Sequence, residues 1–348
     1  MDSVAQPNSP RGSRKRLGPS IGDVARLAGV SSQTVSRVST GAERVRPETR
    51  ERVLSAMEQL GYSPNHAARA LRYGRFGSIG VIAHHLSRTG EFHTIDALVE
   101  AARKNGFTVN LIDVESPSSD DMSVAVQRLT HQSIDGLVII RAETATPDTL
   151  QLPRRLPIVV SDSRFIGHHP AVSTDQWAGI AHAVRHLLGL GHTTVHHLAG
   201  PVDSSPAGVR IQAWRDTLTA HDRMIPDVVR GDWSAASGHA VGTRLLADPS
   251  VTAVLCGNDE MAAGLMRAAH ERGLRVPEDV SIIGFDDIPL ASYLWPPLTT
   301  VRQDFSAVGT TLMDVLFQQI RSGQPLTDHR TTIPTELIVR GSTAPPRP

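Results

Sequence analysis

At 348 residues the chain has room for two or three domains, and its composition, 40% hydrophobic and 20% charged, is that of a globular protein. The single cysteine, Cys256, excludes an internal disulfide and any multi-cysteine metal site, and no apolar run approaches the ~18–20 residues of a membrane-spanning helix. Lys+Arg and Asp+Glu both number 35, but the balance is regional: residues 1–76 hold 13 basic and 6 acidic side chains, a net +7, so the other 272 residues carry −7. A small basic head on an acidic body points to a nucleic-acid partner for the head.

Residues 1–18 carry Arg11, Arg14, Lys15 and Arg16 among Ser, Pro and Gly. They read as a disordered basic tail that adds unspecific phosphate attraction, not as an export signal. Ser20 and Asp23 then stand at capping-box spacing, Val24, Leu27 and Ala28 at helical spacing, and Gly29 at the stop. Ser31 caps a second helix whose apolar residues, Val35 and Val38, lie one turn apart. Pro47 and Glu48 open a third, with Val53, Ala56, Met57 and Leu60 on its apolar face and Gly61 after it. Two short helices about a glycine turn, braced by a third, predict a helix-turn-helix domain over residues 19–64. Its second helix is the reading element, with Ser31, Ser32, Gln33, Thr34, Ser36 and Arg37 as candidate DNA contacts. Gln pairs with two atoms of adenine and Arg with two of guanine, whereas Ser bonds either way. Residues 65–76 are short, Ala-rich and basic, and a helix of that length is marginal alone in water.

Beyond them the pattern alternates. Strands are predicted at 79–83, 109–114, 137–140 and 158–160, with helices at 92–104 and 123–131. A second series follows: helices at 177–190, 207–220, 237–246 and 262–272, strands at 195–199, 253–255 and 281–285. Strict alternation predicts an α/β body of two parallel-sheet lobes over 77–340, with a ligand beyond the C-terminal strand ends. Polar residues follow those ends: Asp162, Asn258 and Asp259, Asp286 and Asp287. Carboxylates, an amide, the Arg210 guanidinium and the Trp233 indole suit a sugar, whose hydroxyls need donors and acceptors and whose C–H face suits an aromatic ring. One of Asp286 and Asp287 is expected to serve structure, and Trp214 is expected in the core. Adjacent histidines at 84–85, 168–169 and 196–197 point to opposite faces of a strand and predict no metal site. No nucleophile elbow or P-loop is present, so no catalytic residue is assigned. Residues 341–348, Gly- and Pro-rich, read as a disordered tail.

Asp23–Ser31 and Thr34–Val38 resemble the head-piece signature of the LacI/GalR family of bacterial repressors, and Tyr62–Leu71 is similar to its hinge. The likeness continues through Ala199-Gly200-Pro201, Gly231–Ala235, Asn258-Asp259, Gly284–Asp287 and Pro297–Thr300. It implies a homodimer whose two heads bind a pseudo-palindromic DNA operator, in the cytoplasm and on the nucleoid, with no membrane partner. It implies hinge contacts from Asn65 and Ala68, with Leu71 wedged into the minor groove, and a periplasmic-binding-protein-like body. It places Asp162, Arg210, Trp233, Asn258, Asp286 and Phe305 on the family's effector positions, with His84 and Arg88 in the first-lobe wall. The implied effector is a mono- or disaccharide that releases DNA, with no other cofactor. The alternative is a non-sugar ligand, such as a purine, that strengthens DNA binding. The sequence departs from the family pattern at Pro206 and Gly208, in the polar stretch Ala83–Glu91 and at Ser32. These departures imply a different effector and operator. The proline-rich end cannot build the heptad helix of the family's tetramers, which predicts a dimer.

Overall fold

The computed structural model describes every residue except 1–17, 40–44, 63–74, 85, 87, 115–118, 141–145, 147, 154, 162–164, 327–328 and 348. The basic tail, the hinge positions Asn65, Ala68 and Leu71, and Asp162 thus lie outside the described residues. The chain divides into two compact units, residues 1–75 and 76–348.

The first unit holds α1 (Ile21–Ala28), α2 (Ser32–Ser39) and α3 (Pro47–Leu60). The predicted capping box is formed: the Asp23 amide donates to Ser20 Oγ at 3.3 Å and the Ser20 amide to Asp23 Oδ2 at 2.9 Å. Gly29 ends α1 at φ 64°, a left-handed conformation costly for other residues. Val24, Ala28, Val35, Val38, Val53 and Met57 form one small core, with Val30 and Leu60 packed against it. Few apolar side chains hold this head together, so each matters more than it would in a larger domain.

The second unit is two lobes built to one plan. The first sheet contains β1 (Ser78–His84), β2 (Thr108–Val114), β3 (Gly136–Ile140), β4 (Ile158–Ser161), β5 (Ala171–Thr174) and β11 (Arg330–Ile333). The second contains β6 (His196–Ala199), β7 (Val229–Arg230), β8 (Ala253–Cys256), β9 (Ser281–Asp286), β10 (Thr299–Gln303) and β12 (Thr335–Ile338). Their orders, β11-β5-β4-β3-β1-β2 and β12-β10-β9-β8-β6-β7, match position by position. All pairings are parallel except that of β12 with β10. Parallel sheets bury both faces. Along β8, Ala253 and Leu255 face one core, Val254 and Cys256 the other.

Helices α4 (Thr89–Lys104) and α5 (Ser119–His131) belong to the first lobe. The second lobe holds α6 (Gln176–Gly189), α7 (Ser205–Ala220), α8 (Ala235–Leu245) and α9 (Asp259–Glu271). The last helix, α10 (Phe305–Ser322), returns to the first lobe, packing Val308, Leu312 and Leu316 with Ile79, Val138 and Leu98. The chain therefore crosses between lobes three times, at β5–α6, β10–α10 and β11–β12. A linear reading of the alternation does not reveal this return. Glycines let α8 and α9 touch: a Cβ on Gly264 would collide with the Ala235 carbonyl, and one on Gly238 with Met261.

One expectation is corrected. Residues 341–347 do not form a loose tail; they dock on the second lobe. Ser342 is fully buried, accepts from the Thr299 amide at 2.8 Å and donates to the Ile282 carbonyl at 2.6 Å. The Ala344 carbonyl meets Ser281 Oγ at 3.0 Å, and Pro346 lies near Gly191. Proline forbids a helix but not an extended strap whose polar groups find partners on the first residues of β9 and β10.

Candidate functional site

The head presents α2. Ser31 caps it, accepting from the Thr34 amide at 3.1 Å while its hydroxyl meets Thr34 Oγ1 at 2.9 Å. Ser36 and Thr34 are half-buried, and the buried Val35 and Val38 fix the helix on the core. Ser32, Gln33 and Arg37 are exposed together. A donor–acceptor amide and a guanidinium on one short helix are the groups that read base edges in a major groove. Of the six predicted contacts on this helix, Ser31 and Thr34 thus also fix its first turn.

In the second unit a cleft of about 560 Å³ opens between the lobes. The first lobe contributes His84 at the end of β1 and residues 88–91 at the start of α4. The second contributes Arg210, Trp233, Asn258, Glu260 and Asp286, with Pro201, Asp203, Asp232 and Ser234. Arg210 is 2% exposed. Its Nε donates to Gln176 Oε1 at 2.7 Å, one guanidinium nitrogen donates to the Gly257 carbonyl, and its carbon lies 3.8 Å from the centre of the Phe285 ring. Asp286 Oδ1 is 3.8 Å from the Arg210 guanidinium and accepts from Gln303 Nε2 at 2.6 Å. Gln176 Nε2 in turn donates to Thr174 Oγ1 at 2.8 Å and to Gln303 Oε1 at 2.9 Å. Thr174, Gln176 and Gln303 stand where the chain crosses between lobes, so the arginine and aspartate are bonded directly into the hinge of the body.

The Trp233 ring packs against Gly200, where a Cβ would collide with it, and its φ of 77° is strained for a non-glycine residue. Asp286, with φ 115°, is strained as well. Backbone strain of this kind concentrates at ligand sites. The buried indole Nε1 of Trp233 has no hydrogen-bond partner among the described residues, although its ring borders the cleft. A donor left so is costly unless a ligand completes it. Asn258 caps α9, accepting from the Met261 amide at 3.0 Å, and its amide nitrogen donates to the Trp233 carbonyl at 2.9 Å and to Glu260 Oε2 at 2.8 Å. It holds the indole loop in place as well as lining the cleft.

Beneath these, buried Asp259 ties the strand ends together: Oδ1 accepts from Thr300 Oγ1 at 2.6 Å and Oδ2 from the Ile288 amide at 2.8 Å. Burial, with the nearby Asp286 carboxylate, raises its pKa well above the usual range. Asp287, the structural partner of the predicted acid pair, binds Arg302 at 2.7 Å and Arg340 at 2.6 Å. Trp214 is core, its Nε1 donating to the Val195 carbonyl at 2.8 Å. Cys256 is buried, which pushes its thiol pKa up and leaves it unreactive.

His84, Arg88, Arg210, Trp233, Asn258 and Asp286 all line this one cleft. Phe305 borders a much smaller hollow behind Gly90, against which its ring packs. Sequence reading missed Glu260, Gln176 and Gln303, and it gave Thr89 only as part of the polar stretch Ala83–Glu91. Glu260 follows a recognisable strand end, but the polar residues of the crossovers carry no signal until the crossovers are known.

A reading helix in one unit and a two-lobed, polar ligand cleft in the other define a ligand-responsive DNA-binding regulator. Residues 20–65 match the bacterial regulatory proteins of the lacI family, and residues 184–343 match a periplasmic binding protein-like domain. The chain is 36% identical to the lactose operon repressor of Escherichia coli over 334 residues, 93% of this chain and 90% of that one. It is 32% identical to the ribose operon repressor of the same species, over 92% of this chain and 98% of that one. A lac repressor dimer bound to operator and the anti-inducer ONPF superposes with a TM-score of 0.84 at 34% identity, covering 94% of this chain and 100% of that one. The chain belongs to the lacI family of bacterial regulatory proteins.

Proposed function

We propose that this chain is a repressor of carbohydrate-use genes, released from its operator by a neutral sugar bound between the lobes. The observation that carries the reading is the cleft beneath Trp233. An indole whose buried N–H has no partner among the described residues borders it, beside a guanidinium fixed by Gln176 and Phe285 and the carboxylate of Asp286. An aromatic face with flanking donors and acceptors suits a polyhydroxylated ring. The described lining includes Glu91, Asp203, Asp232, Glu260 and Asp286 against Arg88 and Arg210, a balance that disfavours anionic ligands.

Two chains pair, in the cytoplasm and on the nucleoid, so that two α2 helices meet a pseudo-palindromic site. The relatives support this: one solved lac repressor is a dimer on operator. Sugar binding selects one closure of the lobes. Through Gln176 and Gln303 it changes the crossovers, and with them the spacing of the paired heads. Such coupling is typically worth ~1–3 kcal/mol. The sugar is the one small molecule this reading needs.

The test is enrichment of random duplexes by the full chain, followed by fluorescence anisotropy on the enriched sequence with sugars and purine bases added in turn. A palindromic consensus whose binding weakens at least fivefold with a sugar is the expected result. Release by no sugar, together with tightening by a purine, would replace the reading with a co-repressor one.

A further inference from the structure

The chain passes from the first unit to the second between residues 75 and 76. Just beyond that junction one carboxylate gathers three successive amides. Asp135 Oδ1 accepts from the Phe76 amide at 2.8 Å, and Oδ2 accepts from the amides of Phe76, Gly77 and Ser78 at 3.0, 2.6 and 3.2 Å. The Asp135 amide donates in return to the Ser78 carbonyl at 2.8 Å. Gly77 bends the chain here with a φ of 69°, and its carbonyl accepts from the Thr108 amide at 2.9 Å. The bend is thus held on both sides, by Asp135 at its amide and by Thr108 at its carbonyl.

We infer that Asp135 is a positioning residue for operator binding: its clamp fixes the direction in which the chain leaves the body for the head and ties that direction to the wall of the ligand cleft. This rests on the reading above, a dimer whose two heads share one site and answer to a ligand between the lobes.

The sheet does not need the clamp. Strand β1 is paired along its whole length with β2 and over most of it with β3. Phe76 and Gly77 precede the strand, and Phe76 is exposed, so water could satisfy its amide. What the carboxylate adds is order in two residues outside the ladder. Its own segment is fixed as well. Ile134 is buried, with its Cδ1 against Gly80 of β1, where a Cβ would come within 2.8 Å. Ser133, at φ 60°, holds a left-handed conformation that is costly for a serine.

The other end of β1 reaches the cleft. The strand lies between β3 and β2, and its six steps carry it about 20 Å from the clamp to His84, which lines the cleft. Ile79, Val81 and Ala83 are packed in one core layer and Ile82 in the other, and a strand so packed moves with its lobe. A shift of the cleft wall therefore arrives at residues 76–78 as a shift of the exit, where a loose joint would absorb it. Two heads bind one site strongly only when the second is held where its half-site lies. Loosening the exit therefore weakens a correctly spaced palindrome more than scrambled DNA, whose phosphates serve in any register.

Two variants of the full chain test this from opposite partners. Asp135→Asn keeps the shape but turns one acceptor into an NH2 group that faces donors. Gly77→Ala acts through the left-handed backbone alone, since a Cβ there meets nothing within 4 Å. By fluorescence anisotropy, each should bind the enriched palindrome at least fivefold more weakly than wild type and scrambled DNA within twofold of it. Glucose, galactose, ribose, lactose, maltose, cellobiose, adenine and guanine are then added to the palindrome complex. The response to whichever compound acts on wild type should fall by half or more, while its calorimetric affinity for free protein stays within threefold. A role confined to holding β1 would lower the melting temperature and leave the palindrome-to-scrambled ratio at the wild-type value, which overturns the proposal. A wild-type ratio in Gly77→Ala overturns it too, and stands as the test if Asp135→Asn does not fold. An undiminished ligand response in both variants overturns the tie to the cleft. If no compound shifts wild-type binding, the sugar reading fails and the tie with it, while the ratio still decides the part of the clamp in operator binding.

Discussion

Acidification should destabilise the body through His197, and the size of the effect follows from its surroundings. His197 lies on β6, fully buried, its ring 5.6 Å from that of Trp214. Its Nδ1 meets the Leu255 carbonyl at 2.9 Å, and since a carbonyl only accepts, Nδ1 carries the proton. Nε2 is buried with no partner among the described residues. A second proton would place a charge in an apolar layer beside Arg210 and Arg230. Burial first, and then those guanidiniums, lower its pKa to about 4. The unfolded chain binds the proton near pH 6.5, so between pH 6.5 and 4 it holds more protons than the native state. Stability from this source is complete above pH 6.5 and is lost as the pH falls towards 4. From pH 7 to pH 5 the loss is about 2 kcal/mol, or roughly 4–8 °C in melting temperature for a unit of this size. Calorimetry of ligand-free protein at both values measures it. His197→Gln supplies a comparison, since its amide can donate to Leu255 but does not titrate. That variant should be less stable at pH 7 and lose about 2 kcal/mol less on acidification. Equal losses for wild type and variant would refute the argument.

Arg37→Ala should lose about 1–3 kcal/mol of discrimination between operator and scrambled DNA, as read by anisotropy on both duplexes. Arg210→Lys should weaken sugar response at least tenfold and also lower the melting temperature, because Gln176 and the Gly257 carbonyl lose their partner; intact ligand response would remove Arg210 from the site. Val35→Ala should destabilise the head by about 2 kcal/mol without unfolding the body, seen as an earlier, separate transition. Deleting residues 341–348 should lower the melting temperature of the body, since Ser342 satisfies the Thr299 amide and Ile282 carbonyl; an unchanged value would mean that the strap contributes nothing.

Local chemistry was legible in the chain itself. Ser20 and Asp23 form their box, Gly29 turns left-handed, Val35 and Val38 face inward, and Arg37 faces out, because caps, turns and one apolar stripe depend on neighbours a few residues away. The parallel lobes were legible for a similar reason, since strands buried on both faces read as short apolar runs. The cleft residues Arg210, Trp233 and Asp286 were found at strand ends and by resemblance. Three features were decided by tertiary structure alone. Helix α10 and strand β11 return to the first lobe, and Gly341–Arg347 lie as a strap on the second, because burial over long sequence separations selects them and no local pattern does. The bonds Arg210–Gln176, Gln303–Asp286 and Thr89–Glu260 join residues up to 171 positions apart, and only the fold brings such partners together. The sequence determined which chemistry was present in each unit. The crossing chain decided which of those groups face one another across the cleft, and that arrangement makes the site a coupling point between the lobes.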